Sequence, residues 1–182
     1  MEELREKFLA RVIRDSREFG LTEAKFIHTP QVHTAGAPRL RCQLSCPQTL
    51  QSVMTPPHTP RAEEVRAMLD EYRYGLITRR EEPFGERDFR EVWQEFGDAM
   101  LSLEKQCLGR GYPKSFTLAV GNCLAPLAED ELRPCDYPGK ARPTLEALGI
   151  DLKETLEMVH WGGMVQRAED EPMQLFALLL LE

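Results

Sequence analysis

The residues of this chain best suited to chemistry are its five cysteines. Cys42 and Cys46 stand in a C-x3-C spacing inside a proline-rich stretch, and Cys123 and Cys135 stand in a second stretch that also carries prolines. Two such pairs are how a four-thiolate site would be distributed, and four thiolates suit either an iron–sulfur cluster or tetrahedral zinc. Neither spacing is diagnostic alone. Context adds weight: Cys46 precedes Pro47, and Cys135 follows Pro134. Prolines stiffen ligand loops, and the remaining backbone amides donate hydrogen bonds that tune cluster sulfurs. The plain alternative is a set of buried structural thiols, since cysteine is among the most buried residue types.

The other candidates carry less chemistry. Cys107 continues the apolar stripe Phe96, Met100, Leu103 and reads as a core residue. Among the histidines, His28 falls in a strand candidate, His33 ends that segment, and His160 sits near a helix C-terminus. His58 follows Pro56-Pro57 and could substitute as a ligand, although an exposed loop histidine is the simpler reading. Arg39, Arg41 and Arg133 flank the cysteines; they are candidates to dock an acidic partner and, more simply, solvated arginines. The stretch Arg79–Gly85 reads as a solvated connection, with Phe84 a small docking point within it. No G-x-G-x-x-G, Walker loop, G-x-S-x-G or H-E-x-x-H is present. A nucleophilic role for Cys42 or Cys46 lacks an identifiable histidine and orienting partner.

The elements that must position these residues alternate. Leu4, Phe8, Val12 and Ile13 recur at helical spacing over 3–19, and Gly20 is a stop. A short strand is expected within 23–33. Residues 34–60 read as a long irregular stretch punctuated by prolines. Thr59-Pro60 offers a capping hydroxyl and a first-turn proline for the next helix. A strand follows at 74–78. Asp88 with Glu91 resembles a capping box opening a long helix that ends at Gly109 and Gly111. Ser115–Val120 is a strand leading into Gly121-Asn122-Cys123. Short helices are expected at 144–148 and 151–160, the second capped by Asp151, and a terminal strand at 173–181. The alternation predicts an α/β fold in one domain over 1–182: a sandwich of a mixed sheet with helices, with cysteine-bearing loops at the strand ends.

Bulk properties narrow the classes. The chain has 182 residues, 42% hydrophobic and 29% charged, as expected of a globular domain. A net charge of −7, with no dense block of Lys and Arg, argues against nucleic-acid binding. The longest apolar run, Leu175–Leu181, is too short to span a bilayer. The start, Met1-Glu2-Glu3-Leu4-Arg5, is not a secretory signal. A cytoplasmic location is therefore expected, where thiols stay reduced and serve as ligands or buried groups rather than disulfides.

At these residues the chain resembles a family. The signature runs from Arg41-Cys42 through Cys46-Pro47 to Pro56-Pro57-His58-Thr59-Pro60. It continues with Gly121-Asn122-Cys123 and then Cys135-Asp136-Tyr137-Pro138-Gly139-Lys140-Ala141-Arg142-Pro143-Thr144-Leu145-Glu146-Ala147-Leu148-Gly149-Ile150-Asp151. Over roughly 40–182 this is similar to the predicted metal-binding proteins of domain-of-unknown-function family 2284, and Lys140–Asp151 is its most specific part. The chain departs from the pattern in two places. Thr55 stands where family members carry a cysteine before the Pro-Pro pair, and Leu124–Pro134 holds none of the family's further cysteines.

The resemblance implies a metal- or cluster-binding protein. On that basis Cys42, Cys46, Cys123 and Cys135 are expected to ligate one [4Fe–4S] cluster that exchanges electrons with a protein partner, with Arg142 a donor toward the cluster or an anion. Zinc closed by the same four cysteines, in a non-enzymatic module, is the alternative. A metal-free scaffold or interaction subunit is the third reading, suggested by the reduced cysteine set. The protein is expected to be a redox accessory or binding protein rather than a stand-alone enzyme.

Overall fold

The apolar run near the end of the sequence becomes the middle of the sheet. The computed structural model describes residues 2–45, 54–83, 85–118, 139–161 and 172–182. Its strands are β1 (Glu23–His28), β2 (Tyr74–Glu82), β3 (Phe116–Leu118) and β4 (Met173–Leu180), in the order β1-β2-β4-β3. Leu178 and Leu180 on one face of β4 join a cluster with Ile27, Ile77, Val65, Leu69, Leu148 and Leu156. Ala177, Leu179 and Leu181 on the other face join Val12, Ala24, Leu76, Phe96, Met100 and Cys107. A strand covered on both faces needs apolar residues at successive positions, which is why β4 shows no alternation.

The helices complete the two outer layers: α1 (Glu2–Arg14), α2 (Gly36–Ser45), α3 (Ala62–Leu69), α4 (Phe89–Gly109) and α5 (Leu152–Met158). Phe8, Leu9 and Val12 of α1 and Phe96, Met100, Leu103 and Cys107 of α4 cover one face, whereas Val65 and Leu69 of α3 and Leu152 and Leu156 of α5 cover the other. The result is a single-domain α/β fold, as the alternation of elements predicts.

Among the described residues the sheet is not mixed. Every pairing there is antiparallel: β1 with β2, β2 with β4, and β3 with β4. The chain does make a β2–α4–β3 crossover of the kind that usually yields parallel neighbours. Here β4 enters between those two strands, so β2 and β3 run the same way without touching.

Several local expectations are met. Asp88 accepts hydrogen bonds from the Arg90 and Glu91 amides at the start of α4, and Asp151 accepts from the Glu154 amide at the start of α5. Others are corrected. The stretch 34–60 contains α2, which tolerates Pro38 because the first-turn N–H groups have no intrahelical partner. The next helix begins at Ala62, where the Arg61 amide donates to Glu64 Oε2 at 2.6 Å. Thr59 is not its cap; the hydroxyl donates instead to the Ala147 carbonyl at 2.7 Å. Residues 79–82 are not a solvated connection but the far half of β2, where Arg79 pairs with Glu23 and Arg80 with Glu82 and Glu95. Phe84 lies outside the described residues.

Candidate metal centre

Cys42 lies on the last turn of α2, not in a loop, and its side chain is half-buried. The helix is held from two directions. At its N-terminal end Thr34 bridges to Ile150, and the Ala35 amide donates to the Gly149 carbonyl at 2.7 Å. One turn before Cys42, Arg39 donates to the carbonyls of Pro57, Thr59 and Pro60, at 3.3, 2.9 and 3.1 Å. Arg39 is therefore a tie between segments rather than a solvated charge. Arg41 is exposed.

Residues 54–60, on the far side of the Cys42–Cys46 stretch, dock on the same place. Thr59 reaches the Ala147 carbonyl, and Thr55 is fully buried. That place is the 3-10 turn Glu146–Leu148, closed by Gly149 at φ 74°. A β-carbon on Gly149 would lie 2.8 Å from the Ala35 carbonyl oxygen and 2.9 Å from Ala62 Cβ. Glycine is required here both for its left-handed backbone and for the close approach of α2 and α3.

The turn belongs to the segment that follows Cys135. Its first residues are fixed through Arg142, which is buried and donates to Glu104 Oε1 at 2.7 Å and to the Ala141 carbonyl at 2.9 Å. The Arg142 guanidinium also lies 4.6 Å from the centre of the Phe116 ring. The other oxygen of Glu104 accepts the backbone amide of Thr117 at 2.6 Å. Arg142 thus forms a buried ion pair rather than a free donor toward a cluster. Removing one partner would leave the other charge buried and uncompensated, at a cost of about 3–5 kcal/mol. Sequence reasoning missed this pair. Its trace was a charged residue, Glu104, one turn beyond Met100 on the apolar side of α4.

The remaining candidates separate clearly. Cys107 is fully buried, and burial pushes its thiol up to about 12, so it stays protonated and unreactive. His28, His33, His58 and His160 are exposed. The His33 backbone is used structurally: its amide donates to Thr155 Oγ1 and its carbonyl accepts the Asp151 amide. Cys46, Cys123, Cys135 and Arg133 lie outside the described residues. Among the described residues no group of three or more His, Cys, Asp or Glu side chains is placed to hold a metal ion.

A family model described as "Predicted metal-binding protein (DUF2284)" matches residues 25–181. The chain belongs to this family. The match begins within β1, so the DUF2284 unit takes in nearly the whole sheet and both stretches that carry the cysteine pairs. No curated protein and no solved structure matches the chain. In the setting of a DUF2284 protein, the four thiols Cys42, Cys46, Cys123 and Cys135 are chemically suited to a thiophilic metal or cluster. Among the described residues, none of the helices is long and apolar enough to cross a membrane.

Proposed function

We propose that this DUF2284 protein is a small iron–sulfur protein, with Cys42, Cys46, Cys123 and Cys135 ligating one [4Fe–4S] cluster, and that it serves electron transfer or redox support of a protein partner in the cytoplasm. The observation that carries the reading is the convergence of the flanks. The helix bearing Cys42 and the segment 54–60 beyond Cys46 both meet the turn Glu146–Gly149, which belongs to the segment beyond Cys135. The described chain next to the two cysteine-bearing stretches is thereby drawn to a common point, which supports one four-thiolate site. A cluster held this way supplies one-electron transfer when bound. The chain's part is to present four thiolates, limit water around them and direct amides at the sulfurs. Leu40 and Leu44 are exposed on the helix that bears Cys42 and give a partner an apolar surface beside the site.

The second reading is structural zinc in a binding module, where four thiolates close the coordination shell and leave no catalytic position. It is favoured by Thr55, a buried hydroxyl at a position where a further thiol would suit a larger centre. The deciding experiment is anaerobic purification followed by a visible spectrum and assays for iron, acid-labile sulfide and zinc on one sample. Brown protein with about four iron and four sulfide per chain is the expected result. Colourless protein with one zinc would establish the second reading, and protein with neither metal would leave a scaffold or interaction subunit.

A further inference from the structure

We infer that Glu104 is the positioning residue of the proposed centre: one buried carboxylate that fastens both ends of the stretch bearing Cys123 and Cys135. This inference rests on the metal-binding reading above. One oxygen of Glu104 takes the amide of Thr117, upstream of Cys123. The other takes the guanidinium of Arg142, downstream of Cys135. Arg142 in turn donates to the carbonyl of Ala141 and, at 3.4 Å, to that of Gly139. Glu104 itself is set by α4, whose neighbouring residues Met100, Leu103 and Cys107 are locked in the core. The two ends therefore meet on a side chain set by a core-packed helix, which is how a site gains precision from its scaffold.

The network is costly as a stability device. Arg142 Nε and Thr117 Oγ1 are buried with no hydrogen-bond partner among the described residues. A buried ion pair with unsatisfied atoms stabilises less than apolar packing of the same volume would. Its distinctive product is geometric: it fixes the separation of two chain ends and the direction in which each leaves the core.

The test severs the tie without stranding a charge. In Glu104→Gln/Arg142→Met, glutamine still accepts the Thr117 amide and methionine fills the place of the arginine stem. Wild type, this double variant, Glu104→Gln alone and a core control, Val12→Ala, are each reconstituted anaerobically with ferrous iron and sulfide, and separately with zinc. Release of the bound metal to a chelator is followed alongside the thermal midpoint of the metal-free protein. We expect release at least ten-fold faster from the double variant while its metal-free midpoint stays near that of wild type. Val12→Ala is expected to lower the midpoint with release unchanged. Glu104→Gln alone, which leaves Arg142 unpaired, should release quickly and also melt early. Equal release from wild type and the double variant, both loaded, would overturn this inference and leave the metal reading standing. A wild-type protein that takes up neither iron nor zinc would overturn both.

Discussion

Cys42 and Cys107 show how environment divides one side-chain chemistry into two roles. Cys42 is half-buried at the end of a helix held by backbone ties. Cys107 is sealed among Phe96, Met100 and Leu103. At pH 8, alkylation of metal-free native protein is expected to modify Cys42 readily and Cys107 only after denaturant is added; peptide mass mapping reads the difference. Burial also gives Cys107 a signed effect on stability. Its folded thiol titrates near 12, whereas an unfolded cysteine ionises near 8.5. Its contribution is therefore complete below about pH 8.5 and is lost as pH rises toward 12. At the acid end, hydrogen bonds from Arg87 and Arg80 hold the Glu95 carboxyl down at about 2. That contribution is present above the unfolded carboxylate range and is lost as pH falls from about 4.5 through about 2. Replacing Glu95 with Gln should flatten the acid limb of a urea-midpoint-against-pH curve over that window, with the variant matching wild type near pH 2 and falling only slightly below it at pH 7, because the pair is exposed and screened.

Among the elements, the turn Glu146–Gly149 decides where the cysteine-bearing segments meet. A Gly149→Ala variant puts a β-carbon against the Ala35 carbonyl and Ala62. The left-handed backbone and the overlap together should cost roughly 2–4 kcal/mol, measured by urea unfolding. If α2 is displaced with the turn, metal retention should fall as well. This turn, with α2, also marks the limit of what the sequence makes legible. The caps Asp88 and Asp151 are readable because a capping carboxylate acts within three residues of itself. The helix α2 is not, because Gly36 and Pro38 look like breakers and none of its residues is buried enough to print an apolar period. Thr59 has the right type for a cap, but a distant carbonyl takes its hydroxyl. Glu104 and Arg142 are unreadable as a pair for the same reason: their partnership is made by tertiary packing and leaves only a charge in an apolar stripe.

At the scale of the molecule, helix–strand alternation was enough to predict the α/β class, and the run Leu175–Leu181 was enough to predict a strand. Strand direction was not readable, since nothing local announces that β4 will enter between β2 and β3. That insertion has a consequence for the order in which the protein assembles. Among the described strands, β3 is hydrogen-bonded to β4 alone, and β4 follows it in the chain. While the polypeptide emerges from the ribosome, the support beneath Thr117 is thus incomplete until the last strand has been translated and docked. Cysteines 42, 46, 123 and 135 are all synthesised before that moment. On the metal-binding reading proposed above, a full-strength site would therefore be ready only after β4 has docked, so metal uptake would be a late event of biogenesis.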